Sequence, residues 1–157
     1  MPALLRSDSL PDILYSEVIR APVAEVFKAL TTARLMDDWG AGPARFQAKP
    51  GGKWSLWDGV MQGVVKEVHA PDRVVFTLRE IHWNERDPDS LVIIELSEIH
   101  RGTRIELRHT NLPSRKIRQL QDDLMRRALQ VGEALLHHPA RDSSRAFNVV
   151  AGLDAQP

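Results

Sequence analysis

The feature that most restricts the fold of this chain is a change of period at Ala44. From there to Thr110 apolar and polar residues alternate, and the alternation is cut at short intervals by turn-forming residues. Candidate strands cover 44–49, 53–57, 60–69, 73–83, 90–98 and 103–110, separated by Pro50-Gly51-Gly52, Asp58-Gly59, Ala70-Pro71-Asp72, the polar run 84–89 and Arg101-Gly102. A period of two sends successive side chains to opposite faces of a sheet. The separators are short and carry hairpin turn chemistry. Parallel neighbours would need long crossovers, so the strands are expected to form an antiparallel meander.

Helical patterns flank the strands. Residues 13–20 read as a further strand, rich in Ile, Tyr and Val. Pro22 then suits the first turn of a helix whose inner face is Val23, Val26, Phe27 and Leu30. Thr32 is placed to cap a second short helix over 33–39. Pro113 ends the strands, and 114–138 has one long amphipathic pattern, stopped by Pro139, with Ile117, Leu120, Leu124, Ala128, Val131 and Leu135 on one stripe. A sheet with one apolar face needs a cover, and this last helix is the segment large enough to give it. The expected class is α+β, with residues 1–138 as one domain beginning in a polar arm. Residues 139–157 form a tail, disordered or docked through the apolar residues within 146–153.

Composition narrows the function classes. Lys+Arg and Asp+Glu both total 21, so the formal net charge is zero and no global field favours nucleic acid. Cysteine is absent, which removes disulfides, thiolate catalysis and Cys-based metal sites and fits a cytoplasmic location. No apolar run approaches a membrane span, and the first residues lack a signal-peptide pattern.

The glycine-rich stretch KPGGKWSLWDG raises the question of a phosphate loop. A Walker loop needs a glycine five residues before its Gly-Lys pair and Ser or Thr after it. Here Gln47 and Trp54 stand in those places and the pair leads into a strand, so a turn is the better reading. No zinc-protease motif or GxSxG elbow occurs, and no catalytic residue, metal or cofactor is assigned.

Strand parity supplies the candidate site. Trp54 shares a face with Leu56, while Trp57 and Trp83 are expected on the opposite face; Trp39 ends the second short helix, where it would close a cavity mouth. Val74, Phe76 and Leu78 share a face with Glu80 and His82. Ile105 and Leu107 share one with His109. Glu80, His82 and His109 are thus expected to converge at one end of the apolar face, as a polar layer, as ligand anchors or as an acid–base group.

The chain resembles the START-like, or Bet v 1-like, superfamily, and more narrowly the small proteins related to the C-terminal domain of the activator of heat shock protein 90 ATPase. The matching residues are Ala21-Pro22 with Val26 and Leu30, Leu35 and Trp39, Pro50-Gly51-Gly52-Lys53-Trp54, and Gly63-Val64-Val65 with Glu67-Val68. Pro71-Asp72-Arg73-Val74-Val75-Phe76-Thr77, Gly102-Thr103-Arg104 and the turn from Thr110 to Pro113 complete the set. The chain departs from the family pattern where Ala41 directly follows Trp39-Gly40 and where the last helix lacks an initial Gly-Trp pair. The resemblance implies a helix-grip fold, a curved sheet of about seven strands wrapped on the last helix with a cavity between them. It implies a small apolar ligand touching Trp54, Phe76, Leu78, Ile105 and Leu107 from the sheet and Leu124 and Ala128 from the helix, with Glu80, His82 and His109 as polar anchors. A chaperone-binding module is the alternative it implies, a cavity enzyme using His109 and Glu80 a third. Monomer and homodimer are both compatible with the pattern.

Overall fold

The computed structural model describes residues 11–38, 40–123 and 126–127. The element order is β1 (Ile13–Ile19), α1 (Val23–Thr31), α2 (Ala33–Asp38), β2 (Arg45–Phe46), β3 (Lys53–Leu56), β4 (Met61–His69), β5 (Arg73–Glu80), β6 (Ser90–Ile99) and β7 (Gly102–Thr110). A helix, α3, follows over 115–123. The strands form one seven-stranded sheet in the order β1-β7-β6-β5-β4-β3-β2, with every pairing antiparallel. Sequence neighbours pair except that β1 joins the far edge beside β7, a meander extended by its first strand. The α+β helix-grip class is therefore what the chain adopts.

Registry puts the core on one face. Ile13, His109, Val92 and Phe76 lie in one cross-strand row, and Tyr15, Leu107, Ile94 and Val74 in the next. Both rows are buried. The first helix buries Val26 and Phe27 against the same cluster, with Val23 and Leu30 at its margin, as its period predicts.

Several boundaries differ from expectation, each for a local reason. The strand expected over 44–49 shrinks to Arg45–Phe46. Gln47 takes over the ladder there, its amide N–H donating to Lys53 O at 3.0 Å and its Oε1 accepting from Lys53 N at 3.0 Å. The third strand stops at Leu56 because Trp57 and Asp58 adopt positive φ of 50° and 56° in the turn. Trp57 is thus not an outward strand residue. It packs against the core, and its indole N–H donates to Gly40 O at 2.8 Å. The fifth strand stops at Glu80, not residue 83, because Trp83 N donates back to Glu80 O and closes a turn.

Residues 1–10 of the N-terminal arm, Trp39, Leu124, Ala128 and the tail over 139–157 lie outside the described residues.

Candidate functional site

The inner face of the sheet divides into two regions. On the β3–β4–β5 side, Trp54 is buried edge-on to Phe76 with ring centroids 5.0 Å apart, and Phe46 meets Phe76 edge-on at 6.1 Å. The indole N–H of Trp54 donates to Thr77 O at 2.8 Å. Thr77 Oγ1 in turn accepts from Val64 N at 2.9 Å, in a gap of the β4–β5 ladder. Both side chains supply bonds that the open ladder does not. This geometry explains Gly63, the cross-strand partner of Trp54. A β-carbon there would overlap Thr77 O and lie 2.6 Å from Trp54 Nε1. The glycine-rich stretch is thus sheet-bending and turn chemistry, and Gly51, with φ 83°, sits in its turn. Trp54 fills this region, and its polar atom is satisfied.

The other region is polar and incompletely paired. His109 sits on the inner face of β7, 0% exposed, and its Nε2 lies 2.7 Å from Ser90 Oγ. Ser90 Oγ donates to Leu78 O at 2.9 Å. His109 Nδ1 is buried and has no hydrogen-bond partner among the described residues. Burial lowers the pKa of His109 from 6.5 to about 4.

A second such group lies on α3. Gln121 is 0% exposed, and neither its Oε1 nor its Nε2 has a partner among the described residues. It lies four residues after Ile117, which packs against the core, so one inward stripe holds both. The helix is held over the start of β1 by Arg118, whose Nε donates to Pro11 O at 2.9 Å and whose guanidinium also donates to Asp12 O at 3.2 Å. Ile13, the next residue, is the register partner of His109. Leu120, expected on the inward stripe, is 54% exposed instead. Ile117 keeps its inward place, and Gln121 holds the place assigned to Leu120.

Of the expected site residues, Trp54, Phe76, Leu78, Ile105 and Leu107 share one buried cluster, and His109 joins the same face. Glu80 is half-buried and accepts from the indole N–H of Trp83 at 3.0 Å. His82 does not converge with them. Strand parity ends at Glu80, and His82 is exposed in the turn beyond it. Trp83, expected on the outer face, is buried in the core for the same reason. Gln121 and Ser90 were not predicted. For Gln121 the available signal was its spacing of four from Ile117; Ser90 carries no sequence signal, because only the β6–β7 pairing brings it diagonally beside His109.

The Ser90–His109 pair is not set up as nucleophile and base. The serine proton goes to Leu78 O, and among the described residues Nδ1 has no carboxylate that would orient an imidazole base. Among the described residues, no group of three or more His, Asp or Glu side chains is placed to hold a metal ion. Nor is any described helix long and apolar enough to cross a membrane.

Comparison with known proteins agrees with the geometry. Residues 20–130 match the family described as Activator of Hsp90 ATPase homolog 1-like protein. The solved structure of an HSP90 activator from Plasmodium falciparum is 27% identical, with a TM-score of 0.72, covering 80% of this chain and 96% of that one. CalU16 from Micromonospora echinospora is 25% identical, with a TM-score of 0.69 over 92% of this chain and 88% of its own. The Aha1 dimer from Colwellia psychrerythraea shares the fold, at 15% identity and a TM-score of 0.71 over 81% of this chain and 96% of its own. No curated protein matches the sequence significantly. With most of its length matched by the family model and its fold shared with the solved Plasmodium falciparum HSP90 activator, this chain belongs to the Activator of Hsp90 ATPase homolog 1-like family.

Proposed function

We propose that this chain binds a small, mostly apolar molecule between the inner face of the sheet and α3, with His109 and Gln121 as its polar anchors. One observation carries the reading. His109 Nδ1, Gln121 Oε1 and Gln121 Nε2 are buried without partners among the described residues, whereas the other buried polar side chains of the sheet, Ser90 and Thr103, are hydrogen-bonded. Leaving a buried polar group unpaired costs about 1–3 kcal/mol. Such groups are expected where a ligand completes the pairing. Phe76, Leu78, Ile105 and Leu107 supply apolar contact on the sheet side, and Trp54 supports them from behind Phe76.

Native mass spectrometry of the full chain, after incubation with an organic extract of bacterial cells, tests this. The expected result is one stoichiometric adduct whose binding shifts the side-chain amide resonances of Gln121. The reading fails if no adduct forms and the three atoms prove to be bridged by ordered water alone.

A second reading, a chaperone-activating module, is supported by the family and by the 27% identity to the Plasmodium falciparum activator. The outer face offers a groove of about 480 Å³ lined by Leu14, Ile93, Arg73, Glu95, Glu106 and Arg108. Leu14 there is 66% exposed. Stimulation of a purified HSP90 ATPase by the full chain, weakened by Leu14→Glu, is the result this reading expects. An ATPase rate that does not respond to the chain counts against it.

A further inference from the structure

The hydrogen-bond pattern around His109 narrows the chemistry of the ligand, an inference that rests on the binding reading above. Ser90 Oγ has one hydrogen, and Leu78 O receives it at 2.9 Å. In the 2.7 Å contact between Ser90 Oγ and His109 Nε2, the imidazole is therefore the donor. A neutral imidazole carries a single N–H. With that proton on Nε2, Nδ1 is a bare lone pair, buried and without a partner among the described residues.

The ring is neutral near pH 7, because burial holds its pKa at about 4. It offers no charge to an anion, and Gln121 is neutral as well. A carboxylate or phosphate head would meet a lone pair at Nδ1 and find no positive charge on either anchor. A hydrocarbon or an ether would leave Nδ1 unpaired. A hydroxyl is neutral and pairs two of the three atoms, since its O–H donates to Nδ1 and its oxygen accepts from Gln121 Nε2.

We infer that the ligand presents a neutral hydrogen-bond donor that is also an acceptor, an alcohol, a phenol or a carboxamide, to His109 Nδ1 and the Gln121 amide. Discrimination comes from the fixed tautomer, and the Ser90–Leu78 bond is what fixes it.

Two measurements test this on the full chain. In nitrogen-15 NMR of histidine-labelled protein near neutral pH, Nε2 of His109 should give the protonated signal and Nδ1 the unprotonated one; the reverse assignment overturns the inference whatever binds. Calorimetry with 2-naphthol, 2-methoxynaphthalene and 2-naphthoate then compares one apolar body with three heads, and the Gln121 amide resonances report where each binds. The phenol should bind at least about tenfold more tightly than the ether or the carboxylate. Equal binding of phenol and ether at the Gln121 site overturns the donor inference and leaves the pocket reading intact. If none of the three moves Gln121, the pocket reading falls, and the inference falls with it.

Discussion

The β3–β4–β5 side of the core and the β1–β7–α3 side carry polar atoms of similar kind and treat them in opposite ways. Around Trp54 the donors are matched where the ladder opens: the indole finds Thr77 O, and Val64 N finds Thr77 Oγ1. Around His109 the matching stops one atom short, and Gln121 is left with both ends of its amide unpaired among the described residues. Unpaired buried groups oppose folding, whereas a closed aromatic cluster supports it. The first region stabilises the fold; under the proposed binding function, the second gives up stability for recognition. Substitutions on the two sides should differ in the sign as well as the size of their effects.

The largest effect is expected at Trp54. Trp54→Ala removes the ring against Phe76 and the bond to Thr77 O, and should lower stability by about 3–5 kcal/mol in urea unfolding followed by circular dichroism. A loss under about 1 kcal/mol would mean that this region is not the tightly packed one.

Next in size is the pH dependence that His109 imposes. Its folded pKa, about 4, lies below the ordinary 6.5, so the unfolded chain binds the extra proton more readily. Stability from the neutral ring is complete above pH 6.5 and is lost as pH falls from 6.5 towards 4. The loss is at most roughly 3 kcal/mol. Urea midpoints measured across that window should fall in the native chain and fall less in His109→Gln. Equal slopes would show that the ring is not held neutral by burial.

Gly63→Ala should follow, at about 1–3 kcal/mol, because the new methyl meets the Thr77 carbonyl and the Trp54 indole together. Pairing it with Trp54→Ala sharpens the comparison. The double variant should be less destabilised than the sum of the two singles, since removing the indole relieves part of the overlap. Simple additivity would uncouple the glycine from the tryptophan.

How far the sequence reveals these two regions depends on the range of the interactions involved. The meander, its hairpin separators and the face shared by Phe76, Leu78, Ile105 and Leu107 follow from local periodicity, as does the amphipathic helix expected to cover that face. Periodicity fails where a strand ends unseen. Extending β5 to residue 83 put His82 inward and Trp83 outward, and the turn closed by Trp83 N on Glu80 O reverses both. It also fails where a polar residue occupies an apolar stripe. Gln121 breaks the hydrophobic pattern, so Leu120 took its place in the reading although Gln121 keeps the spacing from Ile117. The Ser90–His109 bond joins strands that only the register aligns, and no local pattern encodes it.

The smallest effect on stability tests the central claim most directly. Gln121→Leu keeps the bulk of the side chain and removes two unpaired polar atoms from the interior. The full chain and this variant should be compared for urea midpoint and, in parallel, for binding of 2-naphthol. If Gln121 serves recognition, the variant is as stable as the parent or gains up to about 1 kcal/mol, and its binding weakens at least about tenfold. A variant that loses stability while binding unchanged would show that Gln121 is structural, and would contradict the division of the core into a region for folding and a region for a ligand.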